Sequence, residues 1–162
     1  MVQYNSYKPQ AQVPVYILVG IPGSGKSSYA AELAELVGAE VHNADFIREE
    51  LYGDAAIQGD GKKVFGLLYT RAKDDVAIGC PIILDNTNIT KKVRQKAMKT
   101  FDKYNCKFVA VVMNTPIEEC KRRNKMRDRV VPDWVIDRMI NNYEEPTVDE
   151  GFDRICQVWY GG

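Results

Sequence analysis

Val13-Pro-Val-Tyr-Ile-Leu-Val-Gly20-Ile-Pro-Gly-Ser-Gly-Lys26-Ser-Ser-Tyr-Ala-Ala-Glu-Leu33 decides the fold class. An apolar run rich in β-branched residues enters G-x-x-x-x-G-K-[ST], and an alanine-rich helix former leaves it, which gives strand, glycine turn and helix in the order a phosphate-binding loop requires. The glycines let backbone N–H groups turn inward around a phosphate, and the helix N-terminus adds a favourable dipole. Lys26 offers a point charge to β- and γ-phosphates, and the Ser27 hydroxyl is a hard ligand for Mg²⁺. Gly20, Pro22, Gly23, Ser24, Gly25, Lys26, Ser27 and Ser28 are therefore the candidate nucleotide cradle. The plain alternative, a glycine turn that binds nothing, does not account for both the strand before it and the helix after it.

Outward from this segment, short apolar runs alternate with longer amphipathic ones, the pattern of βα units around a mainly parallel sheet. Strands are predicted at 13–19, 40–42, 81–84, 107–113 and 154–159, and helices at 26–37, 45–52, 62–78, 90–104, 117–125 and 132–143. Residues 53–61, with three glycines, read as a surface loop, residues 1–12 as a frayed tail, and 13–162 as a single domain. The run Pro81-Ile-Ile-Leu-Asp85 supplies an acidic residue at the end of a buried strand, where a carboxylate holds Mg²⁺ or its water. The simpler role for Asp85 is to start a turn with Asn86. A GTPase is disfavoured, because the one stretch resembling N-K-x-D, Asn124-Lys125-Met126-Arg127, has arginine where aspartate is needed.

With 162 residues, 45% hydrophobic and 27% charged, the chain buries a core without disulfide or metal staples, and disorder, collagen and coiled coil are excluded. The 22 Lys+Arg balance 22 Asp+Glu, which argues against a protein that coats long nucleic acid but permits a local basic patch. Cys80, Cys106, Cys120 and Cys156 form no CxxC pair and His42 is the only histidine, so neither a zinc site nor a redox motif has its spacing. Reduced cysteines, no disulfide and a cytoplasmic location are the expectation. The longest apolar run, 15–19, is too short to span a bilayer, so no membrane insertion is expected.

A kinase needs a carboxylate beside the acceptor hydroxyl and a cationic lid that excludes water. Asp45 follows the second predicted strand, whose C-terminal end faces the ligand crevice of a doubly wound sheet. Arg48 stands three residues on, on the same side of a helix, where it can clamp an acceptor phosphate. The ordinary reading is an N-cap at Asp45 with a solvent-facing Arg48. Residues 121–129 hold six cations and one aspartate. Most of these six read as a solvated helix face, with one or two on the β/γ-phosphates.

These residues resemble the polynucleotide 5′-kinase family of P-loop phosphotransferases. The motifs that carry it are Gly20 to Ala30, Asn43-Ala-Asp45-Phe-Ile-Arg48, Leu84-Asp85-Asn-Thr-Asn-Ile89, Arg123-Asn124 leading to Arg127, and Val131-Pro132. The resemblance implies a sheet order of 2-3-1-4-5 and transfer of the ATP γ-phosphoryl to a 5′-hydroxyl of a DNA or RNA end. It implies Lys26 and Ser27 on ATP and Mg²⁺, Asp45 as general base, Arg48 on an acceptor phosphate, and Arg127 as the lid arginine. This chain has Asn86 where some members place their aspartate. The lid spacing differs by one residue, so Arg123 and Arg129 also qualify for the lid role. Kinases of small metabolites share much of this pattern, and a non-catalytic ATP-binding module is the third reading. Phe46, Phe65, Tyr69 and Trp134 are candidates to stack on a terminal base, with a core role as the alternative.

Overall fold

In the computed structural model, which describes residues 11–159, the run ahead of the glycine turn is β1 (Val13–Val19). It is the central strand of an all-parallel five-stranded sheet ordered β2-β3-β1-β4-β5, with β2 at Glu40–His42, β3 at Ile82–Leu84, β4 at Cys106–Met113 and β5 at Arg154–Val158. Val15 stands opposite Ile82 on one side and Phe108 on the other. Continuous Val/Ile/Leu runs suit strands covered on both faces, and β3 is buried throughout. The helices are α1 (Lys26–Val37), α2 (Ala44–Tyr52), α3 (Gly61–Ala77), α4 (Lys91–Thr100), α5 (Ile117–Asn124) and α6 (Asp133–Asn142).

Because strand side chains alternate, β1 feeds two cores. Val15, Ile17 and Val19 meet Leu68 and Ala72 of α3 and Ala97 and Met98 of α4 on one face. Leu18, with Ile83, Val109 and Val111, meets Ala30 of α1 on the other. A third cluster, Ile21, Cys120 and Ile136, joins the glycine loop to α5 and α6. All strand C-terminal ends therefore converge on one edge, where the loop, α2 and the segment after α5 gather.

Two local differences from the sequence reading have physical causes. The helix expected over 90–104 ends at Thr100, and tight turns follow, with Asp102 N–H donating to Lys99 O and Tyr104 N–H to Phe101 O. Phe101 and Tyr104, three residues apart, both pack into the core, a spacing that three-residue turns satisfy. A short 3₁₀ turn at Val148–Glu150, closed by a Thr147/Glu150 capping box, has no counterpart in the sequence reading, although Thr-x-x-Glu is its signature. Of the expected 1–12 tail, residues 1–10 lie outside the described residues, and Ala11 and Gln12 are exposed. No described helix is long and apolar enough to cross a membrane, and the four cysteines are free.

Candidate active site

The glycine loop is held open by its backbone. Gly23 and Gly25 adopt φ of 83° and 91°, the left-handed region that favours glycine, and Gly25 caps α1. Gly23 also presses on α5: a Cβ there would lie 2.1 Å from the Cys120 carbonyl oxygen. Thr115 Oγ1 donates to Ser24 O at 2.7 Å, and Gly20 N–H donates to Thr87 O at 3.0 Å, fixing both ends of the loop to neighbouring strand exits. Lys26 Nζ donates to Ile21 O at 3.1 Å. Burial pushes the Lys26 ammonium down to about 8, with Asp85 opposing the shift and Arg127 adding to it.

Asp85 directly follows β3 and is 2% exposed. Its Oδ2 accepts from Ser27 Oγ and from Asn43 Nδ2, both at 2.9 Å, while Oδ1 is buried without a partner. Asn43 also caps α2, its Oδ1 accepting from Asp45 N–H and Phe46 N–H. Asn86 Oδ1 accepts from Ala44 N–H, so it is Asp85 and not its neighbour that turns to the glycine loop. Asn88, at φ 47°, donates from Nδ2 to Leu18 O at 2.8 Å and ties β3 to β1. The Ser27 hydroxyl and the Asp85 carboxylate, one oxygen of which is unsatisfied, are hard donors that fit Mg²⁺. Among the described residues there is no group of three or more His, Cys, Asp or Glu side chains placed to hold a metal ion by itself.

Asp45, in the first turn of α2, is ringed by three arginines. Arg48 Nη1 donates to its Oδ1 at 2.8 Å, Arg129 Nη1 donates to the same oxygen, and Arg127 Nη2 lies 3.8 Å from Oδ2. Arg48 is buried, its guanidinium 6.0 Å from the Phe65 ring centroid, and its Nε has no partner. The helical half of the cationic run is divided: Lys121 pairs with Asp137 at 2.7 Å, Arg122 is exposed and shares Glu119 with Arg123, and Arg123 is half-buried and turns to the glycine loop. Hydrogen bonds from Arg122 and Arg123 hold the Glu119 carboxyl down to about 2. The irregular half brings Arg127 and Arg129 over the crevice. Sequence reasoning named Arg129 only as a substitute for Arg127 and missed Asn43 and Thr115, whose contacts join distant segments.

Two cavities meet at the loop. One of about 380 Å³ is lined by Gly23, Gly25, Lys26, Ser27, Ser28, Arg123 and Arg127. A second, of about 500 Å³, is lined by Asp45, Arg48, Phe65, Asp85 and Arg129, with Val131, Val135 and Met139 on an apolar wall. Lys26, Ser27 and Arg127 border both. The stretch expected as a mere surface loop supplies Ala56 and Gln58 to the second cavity. Of the aromatic candidates, Phe65 lines that cavity, Tyr69 packs edge-on to Phe101 at 6.4 Å, and Phe46 and Trp134 are exposed. The buried unpartnered side-chain atoms among the described residues are Ser24 Oγ, Arg48 Nε and Asp85 Oδ1; Arg48 and Asp85 line the larger cavity, while Ser24 Oγ lies under the glycine loop beside Gly20.

The family model AAA_33, an AAA domain, matches residues 15–146. The chain belongs to this AAA domain family. Protein kti12 of Schizosaccharomyces pombe is 22% identical over 147 residues, covering 83% of the chain and 52% of the relative, so the chain spans about half the length of that curated relative. Among solved structures, Kti12 of Chaetomium thermophilum in complex with ADP-AlF3 superposes with a TM-score of 0.72 at 16% identity, covering 91% of this chain and 90% of that one. A chain of the Pnkp1/Rnl/Hen1 RNA repair complex gives 0.74 at 20% identity, covering 87% of this chain and 46% of that one. The Mycobacterium tuberculosis APS kinase CysC in complex with AMPPNP and APS gives 0.62 at 20%, covering 90% and 88%. This AAA domain thus has the fold of its P-loop kinase neighbours, and those neighbours differ in the substrates they are named for.

Proposed function

We propose that this AAA domain is an ATP-dependent kinase that moves the γ-phosphoryl group to the 5′-hydroxyl of a nucleic acid end. The observation that carries the reading is the shared wall: a carboxylate, Asp45, sits in one cavity, a phosphate loop lines the other, and Lys26, Ser27 and Arg127 border both. A water-splitting ATPase has no need of a second, walled cavity of about 500 Å³. A non-catalytic module has no use for a carboxylate ringed by Arg48, Arg127 and Arg129.

In this reading the loop amides and Lys26 seat the β/γ-phosphates, with Arg123 and Arg127 closing over them. Ser27 and Asp85 would hold Mg²⁺, which would screen phosphate charge. Arg48 fixes an acceptor phosphate, its Nε–H and second Nη left to donate. Asp45 takes the proton of the acceptor hydroxyl as that oxygen bonds to the γ-phosphorus and the bond to the β-phosphate oxygen breaks, giving ADP and a 5′-phosphate. Arg127 and Arg129 now touch Asp45. Anionic phosphates draw such arginines away, freeing the carboxylate once both substrates are seated. The apolar wall of Val131, Val135 and Met139 beside Phe65 suits a nucleobase better than a sugar. Residues 13–162 act as one domain in this account, and the setting is cytoplasmic.

An acceptor panel tests it. With labelled ATP and Mg²⁺, label is expected on a short 5′-OH oligonucleotide and on a nucleoside 3′-monophosphate. Label confined to a sugar, to adenosine phosphosulfate or to inorganic phosphate overturns the acceptor assignment.

A further inference from the structure

Helix α4 carries five cations and no carboxylate in a chain whose charges balance at 22 against 22. Arg94 is accounted for: fully buried, it holds Glu150 at 2.8 Å and donates to Asn88 O. The remaining four are lysines, and Lys92, Lys96 and Lys99 recur at i, i+4 and i+7, a single helix face. All three are exposed, and none makes an ion pair among the described residues. Glu150 is engaged by Arg94, and Glu144 accepts from the Lys91 backbone N–H, while Asp102, just past the helix, forms no ion pair with Lys99 among the described residues. This arrangement opposes the helix it sits on. Lys91 and Lys92 occupy the first turn, where the helix dipole favours anions, and Lys92 and Lys96 are like charges one turn apart. A sequence selected only for stability has no reason to keep both.

Position suggests what the stripe meets. α4 follows β3 through Thr87, which lines the larger cavity, so its N-terminus starts at the sheet edge that holds Asp45 and Arg48. α3, whose Phe65 lines the same cavity, packs on the same face of the sheet as α4. From Lys92 to Lys99 the stripe runs about 10 Å along the helix. With phosphates ~3.4 Å apart along the axis in one strand of a duplex, and farther apart in an extended single strand, that is room for at most roughly three phosphates. The site itself needs only an end, while the stripe leads away from it.

We propose that Lys92, Lys96 and Lys99 form a backbone-binding track for the body of the nucleic acid strand whose 5′ end enters the larger cavity. The proposal rests on the nucleic acid reading of the acceptor but is tested separately from transfer. The track recognises phosphates and not bases, so it adds affinity for length without sequence preference.

The test compares the wild-type chain with the triple variant Lys92→Gln, Lys96→Gln, Lys99→Gln by fluorescence anisotropy with a labelled single strand of about 20 nucleotides, across a salt series. These side chains are exposed, and an unchanged affinity for ATP confirms that the variant is folded. Affinity for the strand is expected to fall roughly tenfold or more at low salt, and the slope of log K against log salt to flatten by ~2 for three lost contacts. The KM for a 5′-OH dinucleotide stays unchanged. Unchanged strand affinity and slope overturn the track while leaving the kinase reading intact. Strand binding that depends on the stripe, in a protein that transfers no phosphate to the strand, supports the track and refutes the kinase reading instead. A polyglutamate peptide that binds as tightly as the strand, and loses as much in the variant, overturns the assignment in favour of an acidic protein partner.

Discussion

Replacing Gly23 by alanine strikes a place where the backbone of the phosphate loop lies against the backbone of α5. Two costs add there. A left-handed φ of 83° costs an L-residue about 1–2 kcal/mol. The new Cβ would sit 2.1 Å from Cys120 O and 3.1 Å from Asn124 N, both backbone atoms, so either the loop or α5 must move. Such overpacking costs about 1–3 kcal/mol more. Gly38→Ala is the control: its φ is 69°, but nothing lies within 4 Å of the added methyl, so only the backbone cost applies. For a chain of 162 residues each kcal/mol is worth about 2–4 °C in Tm. Gly38→Ala therefore lowers Tm by roughly 2–8 °C, and Gly23→Ala by a further ~2–12 °C. Differential scanning calorimetry reads both, and ATP affinity falls for Gly23→Ala alone, because α5 carries Arg123 and leads to Arg127. Equal Tm shifts for the two variants, with equal ATP affinities, refute the loop-to-lid contact.

The Arg94–Glu150 pair is the most buried ion pair described, so Glu150→Gln leaves a guanidinium short of its counter-charge at a cost of about 3–5 kcal/mol near neutral pH. Burial opposes ionisation of Glu150, yet hydrogen bonds from Arg94 and the Thr147 N–H hold its carboxyl below the ordinary 4.5. The stabilisation is therefore present above that ordinary value and lost as pH falls through the lowered one, so urea midpoints of wild type and variant converge in acid; a gap constant from pH 7 to 3 counts against it. Lys26 gives an alkaline signature: with its ammonium at about 8 in the free protein, ATP affinity holds below pH 8 and declines above it, whereas a flat profile to pH 9.5 places Lys26 away from the phosphates.

The sheet and the phosphate loop were legible because their signals are local: β-branched runs, a fixed glycine spacing, a helix former after it. Asp45 and Arg48 were legible because three residues of helix place them together. What was not legible is held by contacts between distant segments. Arg129 reaches Asp45 across 84 residues, and Arg94 finds Glu150 across 56, neither of which any periodicity announces. Gly23 reads as a turn glycine, and only the fold shows Cys120 O beside it. The end of α4 was missed because Phe101 and Tyr104 extend an apolar helical pattern while the chain meets them with tighter turns.

The central claim is that Asp45 deprotonates an acceptor seated across the shared wall from ATP. Asp45→Asn keeps the shape of the side chain and removes its basicity, so the decisive measurement is the rate of transfer from ATP to a 5′-OH oligonucleotide beside the ATP dissociation constant of the same variant. The account predicts a loss of roughly 10²–10⁴-fold in transfer with ATP affinity within about twofold of wild type. Transfer at the wild-type rate makes Asp45 a first-turn carboxylate of α2 that pairs with its arginines and nothing more, and contradicts it.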